Sequence, residues 1–151
     1  MLHGLPMERD VNPFDPPVAG CQELWSTMID FANGALFKLS PARPEEIGPA
    51  IAPILIQGEG IVSAYKAMRD FVVFTNKRLI AVNVQGMTGK KRDFTSLPYS
   101  KIQAFSIETA GTFDLDSELD LWFSGLGKVR LEFKGQVDIR HLGQMIASFV
   151  L

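Results

Sequence analysis

The chain is poor in the residues on which much protein chemistry depends. Cys21 is its single cysteine, which excludes a disulfide framework within one chain and favours a reducing, cytoplasmic setting. Histidine occurs twice, at His3 in the proline-rich opening and at His141 near the start of the last expected helix, where exposure rather than catalysis is expected. Charge of one sign is not in excess: the formal net charge is −2, without the basic field that nonspecific nucleic-acid binding requires. No apolar run is long. The best, Ile47 to Ile56, carries Gly48, Pro49 and Pro53 and falls far short of the roughly 20 residues a spanning helix needs. The opening MLHGLPMERDVNP lacks the basic stretch and apolar run of a secretory signal, so the expected location is the cytoplasm.

A length of 151 residues suits one domain with a core of its own. Residues 1–20 contain Pro6, Pro13, Pro16 and Pro17 and show no apolar period, which predicts a flexible arm. Over 21–57 the spacing predicts helix. Leu24, Trp25, Met28, Ile29, Ala32, Leu36 and Leu39 recur at intervals of three and four, with a break at Asn33-Gly34. Pro44 followed by Glu45 and Glu46 starts a second, short helix, with proline in the first turn and acids at the positive dipole end.

From 58 to 151 the period becomes two. The runs Ile61–Met68, Phe71–Thr75, Arg78–Val84, Phe94–Pro98, Ile102–Thr109, Leu115–Phe123 and Val129–Phe133 are short, β-branched or aromatic, and bounded by turn residues. They predict seven antiparallel strands in a sandwich or barrel. Asp138 can cap a final helix whose Ile139, Leu142, Met145, Ile146, Phe149 and Val150 form one stripe, suited to covering a barrel mouth. In the last two strands, Asp114, Asp116, Glu118 and Asp120 predict an acidic stripe against a basic one of Lys128, Arg130 and Lys134, which also contains Glu132, with opposite charges paired across the strands.

The segment FVVFTNKRLI at Phe71–Ile80 resembles the signature hairpin of bacterial pleckstrin-homology domains. The stretches GMTGKKRDFTSLPYSKI, FSIETAGTFDLDSELDLWFSG and VDIRHLGQMIASFVL resemble the rest of that family in order, from about Met28 to Leu151. The family's usual start resembles MIDFANGALF from Met28, which makes residues 1–27 an extension or a misassigned start. The resemblance implies a seven-stranded PH-like barrel closed by a C-terminal helix, no enzymatic activity, an undefined biological role and ring-like homo-oligomers.

Candidate sites are few. Asp114, Asp116 and Glu118 imitate a calcium loop, but Leu119 stands where the loop's glycine belongs, and the alternating leucines indicate a strand. Gly86, Gly89 and Lys90 in GMTGK are too closely spaced for a phosphate loop, and a strand follows rather than a helix. Cys21 has no basic neighbour to activate it. No catalytic residue, metal site or cofactor is expected. A basic mouth is: Lys66, Arg69, Lys90, Lys91 and Arg92 should gather at one barrel end and could hold an anionic head group, with Asp70 and Asp93 opposing them. The hairpin Phe71–Val84 is apolar on both faces, so Val72, Phe74, Ile80 and Val82 are expected to form a packing or oligomer face, covered by the N-terminal helices or a second copy. The expected partners are the chain itself and an unidentified protein, with membrane lipid as the less favoured alternative.

Overall fold

The computed structural model describes residues 36–151. The 1–20 arm, Cys21, His3 and the first part of the expected helix lie outside the described residues. Eight strands form one sheet: β1 (Leu36–Ala42), β2 (Ile61–Lys66), β3 (Phe71–Thr75), β4 (Arg78–Gln85), β5 (Lys91–Pro98), β6 (Ile102–Glu108), β7 (Ser117–Phe123) and β8 (Gly127–Phe133). Helix α1 (Pro44–Ile51) follows β1, and α2 (Ile139–Val150) ends the chain. The strand order is β5-β4-β3-β2-β1-β8-β7-β6.

The seven strands read from the alternation are β2 to β8. The eighth is a correction, because Leu36 and Leu39 belong to β1 and not to a helix. β1 pairs antiparallel with β2 and parallel with β8, opposing Leu36 to Leu131 and Leu39 to Phe133. The register slips between these pairs, and Lys38 takes a left-handed φ of 59°. One extra residue on a bulged strand stretches the two-residue period to three. That produces the same apolar spacing as a helical turn, which accounts for the misreading. The barrel is corrected too: β5 and β6 are the two ends of the sheet and do not pair, and the β1–β8 contact is parallel. Strand β7 begins at Ser117 rather than Leu115 because Asp114 closes a turn first. Its carbonyl accepts from the Gly111 amide at 2.7 Å, and its carboxylate accepts from the Asp116 amide at 3.0 Å.

Two cores lie on opposite faces of the β3–β4 hairpin. Val72, Phe74, Leu79 and Ala81 join Leu119, Leu121, Leu131 and Phe133 in the main core, which Ile139, Leu142 and Ile146 of α2 cover from one side. Phe71, Val73, Ile80 and Val82 form a second cluster under Ile47 and Ile51 of α1. The expected packing face therefore splits. Cross-strand register opposes Val72 to Ala81 and Val73 to Ile80, so Val72 and Phe74 face inward while Ile80 and Val82 face α1. Both faces are closed within one chain. Capping of α2 is as anticipated, with the Asp138 carboxylate accepting from the His141 amide at 3.0 Å.

The expected charge stripe is realised over a shorter span. Arg130 holds Asp120 bidentately at 2.8 and 2.9 Å, reaches Glu118 at 3.2 Å, and Lys128 lies 3.6 Å from Asp120. The Arg130 hydrogen bonds hold the Asp120 carboxyl below its ordinary range. Glu118, however, opposes Glu132, whose pKa is raised by burial and by that like charge.

Helix α1 makes a directly testable contribution. Ile51 is fully buried under the second face of the hairpin. Ile51→Ala is expected to cost about 2–4 kcal/mol of unfolding free energy. Urea titration of the variant against the native chain measures it.

Candidate interaction surface

Strand pairing brings the turn at residues 67–70 and the loop at residues 86–90 to the same end of the molecule. The Ala67 amide donates to the Asp70 carbonyl at 2.9 Å, closing the first turn. Asp70 also fastens the neighbouring strand, its carboxylate accepting from the Val84 amide at 2.9 Å. The Arg69 guanidinium crosses the gap and donates to the Gly86 carbonyl. Gly89 sits beneath it at φ 64°, where a Cβ would come within 3.3 Å of Val84 Cγ1 and 3.5 Å of Arg69 Nη2. GMTGK is thus a hairpin loop whose glycines permit the turn and the close approach of arginine.

The expected five-cation mouth is only partly assembled. Arg69 is spent on the loop carbonyl, and Lys66 turns to α1, where it pairs with Glu46. Hydrogen bonding from Lys66 lowers the Glu46 carboxyl. Lys90, Lys91 and Arg92 remain exposed, with no ion pair among the described residues. Asp93 lies next to them and accepts from Thr95 Oγ1 at 3.2 Å. Sequence reading missed the two tips of this end: Met68 and Met87, one on each loop, are fully exposed. The signal available was an apolar residue flanked by charge or glycine inside a turn.

Sequence reading also missed a polar latch at the opposite end of β3. Glu59 is enclosed, and its carboxylate accepts from Arg78 at 2.9 and 3.0 Å, from Thr75 Oγ1 at 2.8 Å and from the Ile56 amide at 3.0 Å. Arg78 donates further to the Ile54 carbonyl at 2.7 Å and to Ser96 Oγ at 2.7 Å. The Tyr99 hydroxyl donates to the Thr75 carbonyl at 2.8 Å, and burial pushes its phenol pKa up. This constellation ties the segment after α1 to three strands. Each Glu59 carboxylate oxygen accepts from two protein donors, so the constellation braces the fold. Of the residues that imitate a calcium loop, Asp114 closes a turn with Gly111, and Asp116 accepts from the Gly135 amide of the segment after β8.

The Arg78 hydrogen bonds dominate in holding the Glu59 carboxyl at about 2, below its ordinary 4.5. A depressed carboxylate stabilises the fold fully above pH 4.5, and the contribution is lost as pH falls towards 2. Glu59→Gln is expected to cost about 3 kcal/mol near neutrality, because it leaves Arg78 without its anion. The variant should lose less stability than the native chain between pH 5 and 3, a difference that urea titrations at both pH values measure directly.

Comparison with known proteins gives a consistent assignment. The bacterial PH domain family matches residues 30–150. The uncharacterized protein YjqA of Bacillus subtilis is 45% identical over 122 residues, covering 80% of this chain and 98% of YjqA. A Shewanella loihica DUF1696-family structure with a pleckstrin-homology domain is 42% identical with a TM-score of 0.65, over 76% of this chain and 99% of that one. A pleckstrin-homology domain from Shewanella amazonensis is 40% identical with a TM-score of 0.56, over 79% and 93% respectively. The eight-stranded sheet, the terminal helix and these matches agree: the chain belongs to the bacterial PH domain family.

Proposed function

We propose that this PH-like chain is a non-enzymatic, cytoplasmic interaction module that works as a homo-oligomeric scaffold. The observation that carries the reading is the open sheet. Barrels remove their edges by closure, whereas among the described residues β5 and β6 end the sheet with no strand on their outer edges, and an unpaired edge is a template for another strand. The polar clusters favour a structural over a catalytic role, since Glu59 pairs with Arg78 and Asp120 with Arg130. Among the described residues, no helix is long and apolar enough to cross a membrane, and no group of three or more His, Cys, Asp and Glu could hold a metal.

Light scattering on the purified chain tests the proposal. The expected mass at tens of micromolar is a multiple of 16.7 kDa. A single-chain mass at that concentration would refute self-association.

A second reading, a peripheral binder of anionic lipid head groups, is favoured by one feature: Met68 and Met87 are exposed at the end of the sheet that carries the exposed Lys90, Lys91 and Arg92. Each cation near an anionic surface contributes about 1 kcal/mol. Salt screens that attraction, Asp70 and Asp93 oppose it, and Lys66 and Arg69 are already engaged. The expected result is little or no sedimentation with phosphatidylserine-containing vesicles at physiological salt, unchanged in the Lys90→Ala, Lys91→Ala, Arg92→Ala variant. Strong sedimentation that the triple substitution abolishes would promote the lipid reading over the scaffold.

A further inference from the structure

Strand β1 leaves the sheet early. Its last pair opposes Ala42 to Ala64, and Pro44 then opens α1. β2 starts at Ile61, so residues 61–63 extend past that pair with no β1 residue beside them. The facing bank is the segment that follows β8. It is fixed by the Lys134 amide, which donates to the Leu39 carbonyl at 2.9 Å. Two tight turns then lead into α2: the Val137 amide donates to the Gly135 carbonyl at 3.0 Å, and the Ile139 amide to the Val137 carbonyl at 2.8 Å. Between the banks lies a cleft of about 270 Å³. A water molecule takes roughly 30 Å³ in the liquid, so the cleft suits a small ligand or a single side chain.

The walls are of two kinds. Pro41, Pro44, Val62 and Val137 supply apolar surface, and Ser63, Tyr65, Gln136 and Asp138 supply polar groups. Asp138 is the one charged residue of the lining. One of its oxygens caps α2 through the His141 amide, and the other has no partner among the described residues. The Tyr65 ring is wedged edge-on against Phe133 and Phe74, with centroids 4.8 and 5.9 Å away. Burial raises the pKa of its phenol, which stays neutral with Ser63 and Asp138 as polar neighbours. Ser63 Oγ is buried without a hydrogen-bond partner, a state that costs free energy until a partner is supplied. Ser63 as a whole is only half-buried, and rotation about χ1 between staggered wells turns that hydroxyl to the cleft.

This lining selects by charge. It contains no Lys, Arg or His to balance a phosphate or carboxylate. A single carboxylate is a poor match for calcium, which takes six or more oxygens, several of them charged. An alkylammonium group fits. Its three donors match three acceptors, the Asp138 carboxylate, Ser63 Oγ and the Tyr65 hydroxyl, while its stem can lie along the prolines. Arg43, the cation next to this wall in sequence, acts on Glu46 instead.

We propose that the cleft between β2 and the start of α2 binds a primary alkylammonium group, held by Asp138 with Ser63 and Tyr65 as further acceptors. Two sources carry that chemistry, a free amine and a lysine side chain of a partner. The site is complete within one copy, so it goes beyond self-association and does not depend on it.

Saturation-transfer NMR and equilibrium dialysis on the full chain test the site, in buffers of matched salt. The probes are n-pentylamine, Nα-acetyl-lysine N-methylamide and, as an uncharged match, 1-pentanol. Both amines should bind saturably and 1-pentanol should not. Asn caps a helix as well as Asp does, so Asp138→Asn should keep the native thermal transition while amine affinity falls about tenfold or more, the loss of a charged partner. Ser63→Ala removes the orphaned hydroxyl and should leave the transition unchanged or raised, with weaker amine binding. Tighter binding of the lysine derivative points to a partner's side chain, tighter binding of pentylamine to a free amine, and either result sustains the site. No saturable amine binding, equal binding of 1-pentanol, or amine affinity unchanged in Asp138→Asn would overturn it. A single-chain mass in light scattering refutes the scaffold and leaves this site standing.

Discussion

Burial on both faces of the β3–β4 hairpin sets what the remaining elements must do. All five residues of β3 are buried, and so are Leu79, Ile80, Ala81 and Val82 of β4. An antiparallel strand usually leaves one face to water, and here that face does not exist. The inner side requires β7, β8 and α2, and the outer side requires α1. Helix α1 is only eight residues long and interrupted by Pro49, too short to persist by its own propensity. Its existence depends on Ile47 and Ile51 having the hairpin to cover. Glu59 and Arg78 then hold the segment after α1 in place, so the cover cannot drift off the face it closes.

Closing both faces shifts the question of interaction from the faces of the sheet to its edges and loop tips. The apolar residues expected to form a packing or oligomer face are buried inside one chain, Ile80 and Val82 under α1 and Val72 and Phe74 in the main core. What remains exposed is different in kind: single apolar tips on loops, three cations at one end of the sheet with no ion pair among the described residues, and acids beyond the other end. Surfaces of this type associate by matching charge and main-chain hydrogen bonds more than by apolar area. Contacts made through such surfaces weaken with salt, unlike those through a buried apolar patch.

Much of the fold was legible because the physics is local. Strands β2 to β8 follow from alternation and turn residues, α2 from one apolar stripe and the Asp138 cap, and α1 from Pro44 and two acids. β1 was not legible, because the bulge at Lys38 gives a strand the spacing of a helix. The basic end was half legible. The topology that brings the loops together could be inferred, but the engagement of Lys66 by Glu46 and of Arg69 by Gly86 could not. Those partners lie 20 and 17 residues away, and only the packed chain chooses among the available acceptors.

The sequence by itself determined the class of protein. A single cysteine, a balanced charge, the order of short alternating segments and the FVVFTNKRLI hairpin limited the chain to a mainly-β PH-like domain with a terminal helix. Those features depend on residue identity and nearest-neighbour spacing, which are written in one dimension. Tertiary structure alone decided that the sheet stays open, that β1 joins β2 to β8, and that Val72 and Ile80 look to opposite sides. It also decided that Glu59 is enclosed with Arg78. Register, closure and ion pairing depend on which distant segments meet, and that is settled by the combined burial of both hairpin faces rather than by any stretch of residues alone.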